Sequence, residues 1–434
     1  MPRINLGILG LGTVGCGVVK LIQEHADLLN KKIGAPLCIK KIADIDLKTP
    51  RGLSLDRAIL TTDSNEVVDD PEIQIVAELI GGVDAARDLS LKALRKGKHL
   101  VTANKALLAR HGQEIYQAAA RNQVDLGFEA SVGGGIPILR ALREGLVANR
   151  IQLLMGIING TANYILTQMS EEGRDFASAL AEAQRKGYAE ADPTFDVEGF
   201  DAAHKLQILS SLAYGGYIDF DRIYVEGISS ISPLDIKYAG EFGYKIKLLA
   251  ITKESNGKQE VRVHPTLIPQ HYLLASVGGV FNAVYIQGDA VGPLLFYGQG
   301  AGQMPTASAV VSDIVEIAQD ILSQRPSHSN SLPLRRAEEV GIQVLDISEA
   351  RCRYYLRVSA LDQPGVLSQV SGILGDHHIS ISSVIQKERH EELSVPVVMM
   401  THEAKEGDMR EALQAIDQLD VVTGSTICIR VEGE

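Results

Sequence analysis

The chain has 434 residues, 45% of them hydrophobic, and a formal net charge of −12. That length supports two to four domains with sizeable cores. An acidic balance with no Lys/Arg run offers no footprint to phosphate backbones or anionic membranes, and no apolar span approaches the ~18 residues that cross a bilayer. The expected partners are therefore small molecules, with neither nucleic acid nor membrane. Cys16, Cys38, Cys352 and Cys428 are far apart and form no C-x-x-C pair, which suggests neither a zinc site nor a disulfide framework. The apolar run after Arg3 is broken by glycines and reads as strand, turn and helix rather than as a secretory leader, so a cytoplasmic location is expected.

Residues 4–9 form a short apolar strand, and Gly10-Leu11-Gly12-Thr13-Val14-Gly15 follows at once, opening a helical run over 16–23. This is G-x-G-x-x-G between strand and helix. Gly10 permits the tight turn, Gly12 lets backbone approach a pyrophosphate, Gly15 allows close helix packing, and the helix N-terminus favours the anion. Strand 37–43 ends at Asp44, somewhat beyond the usual ~20-residue spacing, where a carboxylate accepts hydrogen bonds from a ribose and repels a 2′-phosphate. Lys48 and Arg51 lie near enough to keep a phosphorylated ribose open. Strand 73–80, helix 88–96 and strand 99–102 continue the alternation, which implies an α/β fold with a doubly wound parallel sheet. Ligands bind such sheets beyond the strand C-termini, where Thr102, Asn104 and Lys105 fall. Asn104 reads as a helix cap. Lys105 is harder to explain locally, because a cation in the first helical turn opposes the helix dipole.

A further strand begins near Gln123, and residues 128–137 then place three adjacent glycines beside Glu129. The glycines expose backbone carbonyls and Glu129 supplies one anionic oxygen, and a domain-crossing turn is the plain reading. Strand 151–158 begins a second domain, followed by a helix that Asn159-Gly160-Thr161 opens and that runs through Met169. Gly160 and Thr161 offer an N–H and a hydroxyl at the helix start, suited to capping or to a substrate carboxylate. Residues 183–205 carry five carboxylates around one proline. Tyr188, Glu190 and Asp196 lie in an irregular stretch punctuated by Asp192-Pro193, as in a loop held against a pocket. From Asp201 a helical run sets Asp201, Lys205, Ile208 and Leu212 in one stripe, so a charge pair heads an apolar face. A surface i,i+4 ion pair is one reading. The other is a site, because charge on the buried side of a helix is costly unless paired.

Strands 248–252 and 259–267 make this second domain α+β. The glycine-rich stretch 298–309 introduces helix 310–322, and residues 323–334, rich in Ser and Pro, look like a linker. The last part reads strand 354–360, helix 366–377, strands 379–386 and 393–401, helix 407–419 and strand 421–431. That is βαββαβ, the ferredoxin-like order.

Ala183, Gly187, Tyr188, Asp192-Pro193, Asp196-Val197, Gly199, Asp201 and Lys205 together make a long, irregular pattern. It resembles the signature of homoserine dehydrogenases with every fixed position filled, and the likeness covers about residues 1–322. The Asp362-x-Pro364-Gly365-Val366-Leu367 loop resembles that of ACT domains, which bind amino acids between paired modules; a dimerisation module without ligand is the other reading. With no amino-kinase domain ahead of it, the chain looks like the monofunctional form. The resemblance implies reversible, NAD- or NADP-dependent interconversion of L-homoserine and L-aspartate 4-semialdehyde, on the route to threonine, isoleucine and methionine. It implies a Rossmann-like nucleotide domain of 1–132 with 303–322, a substrate-binding and dimerisation domain of 133–302, a linker of 323–350 and an ACT regulatory domain of 351–434. An alcohol giving up hydride must also lose a proton, so a lysine is a reasonable acid/base. Lys205 is the first candidate, with Lys105 on the cofactor side and Asp201 orienting Lys205 or a water.

By the same resemblance, Glu190 and Asp196 accept hydrogen bonds from the substrate ammonium, with Tyr188, Gly160 and Thr161 alongside. Thr102, Asn104 and Lys105 meet the nicotinamide end, and Gly302 lies near a cofactor held by Gly10, Gly12, Thr13, Val14, Gly15 and Asp44. Sodium is held by Glu129 and the carbonyls of Val132, Gly134 and Ile136. Many members carry an arginine just after the second strand to pair with a 2′-phosphate. Ile45 stands in its place, so NAD is expected to serve at least as well as NADP. The expected effector is L-threonine and the expected assembly a homodimer or homotetramer. Another amino-acid or semialdehyde dehydrogenase should lack the full 183–205 pattern, and a non-catalytic sensor should have lost Lys105, Asp201 or Lys205.

Overall fold

The computed structural model describes residues 2–255, 257–327, 332, 335–387 and 394–433. They fall into two compact units, one of residues 1–153, 204–221 and 282–342, the other of residues 154–203, 222–281 and 343–434. Among the described residues no helix is long and apolar enough to cross a membrane.

The first unit opens with β1 (Ile4–Leu9), α1 (Thr13–Glu24), α2 (Ala26–Ile33), β2 (Leu37–Ala43), β3 (Leu60–Thr61), α3 (Asn65–Val68), β4 (Ile75–Glu78), α4 (Asp84–Arg95), β5 (His99–Thr102), α5 (Lys105–Arg121) and β6 (Leu126–Gly127). Six strands form one sheet in the order β3-β2-β1-β4-β5-β6, every pairing parallel. β1 and β4 are buried along their whole length, as parallel strands covered on both faces must be. The strand order reverses between them, which opens a crevice at their C-terminal ends. The insertion that lengthens the path to Asp44 is α2, closed by Gly34 in the left-handed conformation with Lys31 and Lys32 in its last turn. The expected strands 73–80 and near 123 are shorter than their apolar runs, and Gln123 itself turns at φ 53°.

A short helix, α6 (Ile138–Arg140), follows, and β7 (Ile151–Ile157) leads into the second unit. There α7 (Gly160–Glu172), α8 (Phe176–Arg185) and α9 (Thr194–Val197) precede α10 (Phe200–Tyr214), inside which the chain passes back to the first unit. Residues 201–211 of α10 are all buried. The expected single apolar face is therefore wrong: the helix is covered all round, Leu212 is only partly buried, and Asp201 and Lys205 are interior groups rather than a surface pair. The second unit continues with β8 (Tyr224–Val225), α11 (Pro233–Glu241), β9 (Tyr244–Ser255) and β10 (Lys258–Pro269). The neighbouring strands β11 (Phe281–Gly288) and β12 (Gly292–Gln299) lie mainly in the first unit, as does α12 (Gln303–Ser323). α12 begins seven residues before the expected 310 because Gln303-Met304-Pro305 form its first turn, where proline is tolerated.

Beyond α12, residues 328–331, 333 and 334 of the expected linker lie outside the described residues, as does residue 393, the expected start of a strand. The C-terminal module runs β13 (Arg351–Leu361), α13 (Val366–Asp376), β14 (Ile381–Ile385), β15 (Ser394–Thr401), the two-residue β16 (Ala404–Lys405), α14 (Glu406–Asp417) and β17 (Ile427–Val431). The βαββαβ order stands. Its sheet continues into the rest of the unit, in the order β9-β10-β17-β13-β15-β14, because β17 lies parallel to β10 on one side and antiparallel to β13 on the other. At that seam buried Arg430 donates to Glu406, to Glu226 (2.7 Å) and to the Tyr224 hydroxyl (3.1 Å).

One close approach fixes how α1 meets α12. A Cβ on Gly17 would lie 2.8 Å from the Gln303 carbonyl oxygen and 3.0 Å from the Ala307 Cβ. Gly17→Ala would gain about 1 kcal/mol of helix propensity on an open face. Here overpacking at ~1–3 kcal/mol should outweigh it, and the urea midpoint should fall. A higher midpoint would show that the two helices have room to part.

Candidate active site

The glycine turn is built from short contacts. Gly10 sits at φ 96°, its N–H donates to the Ala43 carbonyl (2.8 Å), and a Cβ there would lie 2.6 Å from the Leu79 carbonyl oxygen. A Cβ on Gly15 would lie 2.2 Å from the Gly10 oxygen. Gly15 therefore lets α1 close onto its own turn, and the packing role expected of it belongs to Gly17. A Cβ on Gly12 would meet nothing within 4 Å. Gly12 heads α1 without a side-chain cap, and the first intrahelical bond runs from the Cys16 N–H, so the N–H groups of Thr13, Val14 and Gly15 gain no acceptor from the helix. Such a start, open on its Gly12 side, fits a pyrophosphate.

Asp44 lies just past β2, as expected, but it is already engaged. One carboxylate oxygen accepts the Leu11 N–H, and the other accepts the Asp46 N–H (2.8 Å) and an Arg51 guanidinium N–H (3.2 Å). Arg51, folded back from the following loop, offsets the repulsion a 2′-phosphate would meet. Lys48 is exposed. At the tip of β5, Asn104 caps α5 by accepting from the Leu107 N–H (3.0 Å) and donates to the Gly82 carbonyl (2.8 Å). Lys105 opens α5 and is half-buried.

Glu129 is buried, and its two oxygens accept the N–H groups of Leu139 (2.8 Å) and Arg140 (2.7 Å) at the start of α6. Burial pushes its pKa up. Val132 follows, then Gly133 and Gly134 turn through φ 73° and 55°, so the chain doubles back beside the carboxylate. Among the described residues the carbonyls of Val132 and Gly134 accept no loop or turn N–H, whereas that of Ile136 accepts from Ile138 (2.8 Å). Two open carbonyls near a buried carboxylate fit a hard monovalent cation, with Ile136 the weaker donor of the expected set. Among the described residues no group of three or more His, Cys, Asp and Glu side chains is placed to hold a metal. Asp313 of α12 accepts the Glu129 N–H (2.9 Å) and was not expected from sequence.

In the second unit the start of α7 gathers two carboxylates of the 183–205 segment, Asp196 and Asp201. Asn159 caps the helix through Oδ1, accepting from the Ala162 N–H (2.7 Å), and its Nδ2 donates to both Asp196 (2.7 Å) and Asp201 (2.9 Å). The single Thr161 hydroxyl proton has two acceptors in reach, the Tyr188 carbonyl (2.6 Å) and Asp196 (3.0 Å). A Cβ on Gly160 would lie 2.9 Å from the Val280 oxygen. Tyr188 packs edge-on against Tyr164 at 5.1 Å. Glu190 is exposed, with its carbonyl accepting from Gln184 (3.1 Å), and its carboxylate is not drawn into the cluster. Lys205 lies one helical turn beyond Asp201 and is only 9% exposed. Gly302 heads α12 at φ 123°. Asn159, which joins both carboxylates, escaped the sequence reading because an asparagine before a helix signals only a cap.

A glycine-cradled helix start at the carboxyl edge of a doubly wound parallel sheet defines a dinucleotide-binding α/β protein. Residues 10–129 match the family model described as the NAD-binding domain of homoserine dehydrogenase, 137–315 the one described as homoserine dehydrogenase, and 354–421 the ACT domain. The homoserine dehydrogenase of Pseudomonas aeruginosa is 46% identical over 434 residues, covering 100% of this chain and 99% of its own. The crystal structure of one from Thiobacillus denitrificans is 47% identical with a TM-score of 0.93, covering 100% of this chain and 99% of that one. A hyperthermophilic archaeal homoserine dehydrogenase solved in complex with NADPH is 26% identical, with a TM-score of 0.62, over 73% of this chain and 98% of its own. The chain belongs to the homoserine dehydrogenase family, with an ACT domain at residues 354–421.

Burial and the neighbouring charge of Glu129 raise the Asp313 pKa to about 7. Between the ordinary carboxyl range and about pH 7 the folded chain keeps a proton that the unfolded chain has released. Stability should therefore fall as pH rises across that window, by up to ~1.4 kcal/mol per unit, and level off above it. Asp313→Asn keeps an oxygen for the Glu129 N–H and cannot titrate. Its urea midpoint should vary less between pH 5 and 7 than that of the parent, and an unchanged slope would place the titration elsewhere.

Proposed function

We propose that Lys205 is the acid/base of homoserine oxidation and that the Asn159-anchored carboxylates organise the substrate end. The observation that carries this reading is Asn159 holding Asp196 and Asp201 together at the head of α7. On it, Asp196 accepts from the homoserine ammonium with Glu190 and Tyr188 alongside, and the N–H groups and hydroxyl at Gly160 and Thr161 receive its carboxylate. Asp201 orients Lys205, whose amine takes the hydroxyl proton in oxidation and returns it in reduction, with Lys105 serving on the cofactor side. NAD(P), when bound, accepts and returns the hydride. Gly10, Gly12, Thr13, Val14 and Gly15 would hold its pyrophosphate, Asp44 its ribose, and Thr102, Asn104, Lys105 and Gly302 its nicotinamide half. The functional division is a cofactor domain of 1–132 with 303–322, a substrate domain of 133–302, a linker of 323–350 and a regulatory domain of 351–434.

With Arg51 paired to Asp44, both cofactors are accommodated, and NAD serves at least as well as NADP. Sodium at Glu129 and the carbonyls of Val132, Gly134 and Ile136 would stiffen the loop. Four free thiols accord with the cytoplasm. β14 ends the sheet of the second unit and exposes Val384, and β12 in the first unit exposes Tyr297, which supports pairing of copies into a dimer or tetramer.

We further infer that L-threonine binds the ACT domain and restrains this step toward threonine, isoleucine and methionine. A cavity of about 290 Å³ is lined by Asp362, Gln363, Gly365 and Gln386. The Asp362 Oδ2 is buried and accepts no hydrogen bond among the described residues, which suits an ammonium. Gly365 heads α13 without a side-chain cap, which suits a carboxylate.

Lys205→Ala should lower kcat at least ~10²-fold while the Kd for NADH barely changes. Turnover near that of the parent would move the role to Lys105. Threonine should slow homoserine oxidation several-fold to about a hundredfold, the span of a ~1–3 kcal/mol coupling. Asp362→Asn should blunt that response. If threonine, isoleucine and methionine all leave the rate unchanged and calorimetry detects no binding, the domain is structural.

A further inference from the structure

Glu78 ends β4 in register with Leu9 of β1 and Thr102 of β5, fully buried. Its hydrogen-bond partners are a backbone N–H and a hydroxyl, neither of them charged, and burial pushes its pKa up to about 7 against those bonds. An interior carboxyl without a cation is a poor way to stabilise a sheet, since apolar side chains of similar volume serve as well or better. Its contacts are more specific than packing requires.

Oε1 accepts the Ile80 N–H (3.0 Å), and Oε2 accepts the Thr102 hydroxyl (2.6 Å). That hydroxyl in turn accepts the Asn104 N–H (3.0 Å), and the Asn104 amide donates to the Gly82 carbonyl (2.8 Å). The bonds close a ring through two strand tips, 80–82 and 102–104, with Glu78 at its root. The next residue, Leu79, bonds through its N–H to the Leu9 carbonyl (2.7 Å), and its own carbonyl is the group that excludes a Cβ at Gly10.

We propose that Glu78 is a positioning residue for the nicotinamide cofactor, acting through Thr102 and Asn104 on one side and the Ile80–Gly82 turn on the other. The inference rests on the reading that the 102–105 tip meets the cofactor. Glu78→Ala leaves two interior donors without an acceptor. Glu78→Gln keeps the volume but offers one oxygen for two donors, so one side of the ring opens and the fold is spared.

The test is calorimetric titration of the full-length protein with NADH and with NADPH, alongside thermal unfolding and hydrogen exchange of 80–82 and 102–107. Glu78→Gln should raise the Kd several-fold and speed exchange in both tips, and Glu78→Ala should raise it about tenfold, while the KM for homoserine at saturating cofactor stays within about twofold. If Glu78→Ala does not fold, Glu78→Gln decides alone. A folded Glu78→Gln with the parent Kd overturns the inference, whatever its melting temperature. Asn104→Ser, which keeps an oxygen for the helix cap, separates the two claims. If it weakens cofactor binding while Glu78→Gln does not, only the role of Glu78 fails. If neither weakens it, the reading of the tip fails as well.

Discussion

A parallel sheet brings all its strands to a stop at one edge, where turn and helix-start N–H groups lack strand partners, and this chain answers them with carboxylates. Asp44 takes the Leu11 N–H, Glu78 the Ile80 N–H, and Glu129 the N–H groups of Leu139 and Arg140. Each is buried or nearly so, and an interior carboxylate is tolerable only when its lone pairs are used. The cost of burial therefore holds each loop in place. In the second unit Asn159 does the converse, supplying donors to two carboxylates from a helix start. In both units these bonds tie loops to strand and helix ends.

The same economy governs the C-terminal domain. β17 is shared between β10 and β13, so the strand that completes the ferredoxin-like order is also a strand of the larger sheet. Arg430 sits on it with acceptors from α14 and from residues 224–226. Removing one partner of a buried pair strands the other charge, at ~3–5 kcal/mol. A shift of this strand would be felt on both sides of the seam.

Strands over 4–9, 37–43 and 99–102 were legible to the residue, because a buried parallel strand is an apolar run with abrupt ends. The 183–205 pattern was legible as a family likeness, and the comparisons bear that family out. Other features were not. Asp201 and Lys205 imitate an amphipathic helix whose far side, being Ala, Ser and Gln, is buried as well. Gly15 and Gly17 are alike in sequence, and only the approach of α12 tells them apart. Glu78 is a single polar residue within an apolar run, and Asp313 sits beside Ser312 and Glu316 on an ordinary-looking helix. Their partners lie 24 and 184 positions away, so no local spacing marks them.

Homoserine oxidation at a site organised by the segment 183–205 is the proposal on which the others rest. The most direct measurement is initial-rate reduction of NAD and of NADP by the purified full-length protein, with L-homoserine beside L-serine and L-threonine as candidate substrates. Turnover is expected with L-homoserine and both cofactors, with NAD at least equal to NADP in kcat/KM, and little or none with the other two alcohols. Turnover of serine or threonine in preference to homoserine, or none with any of them, would contradict that proposal.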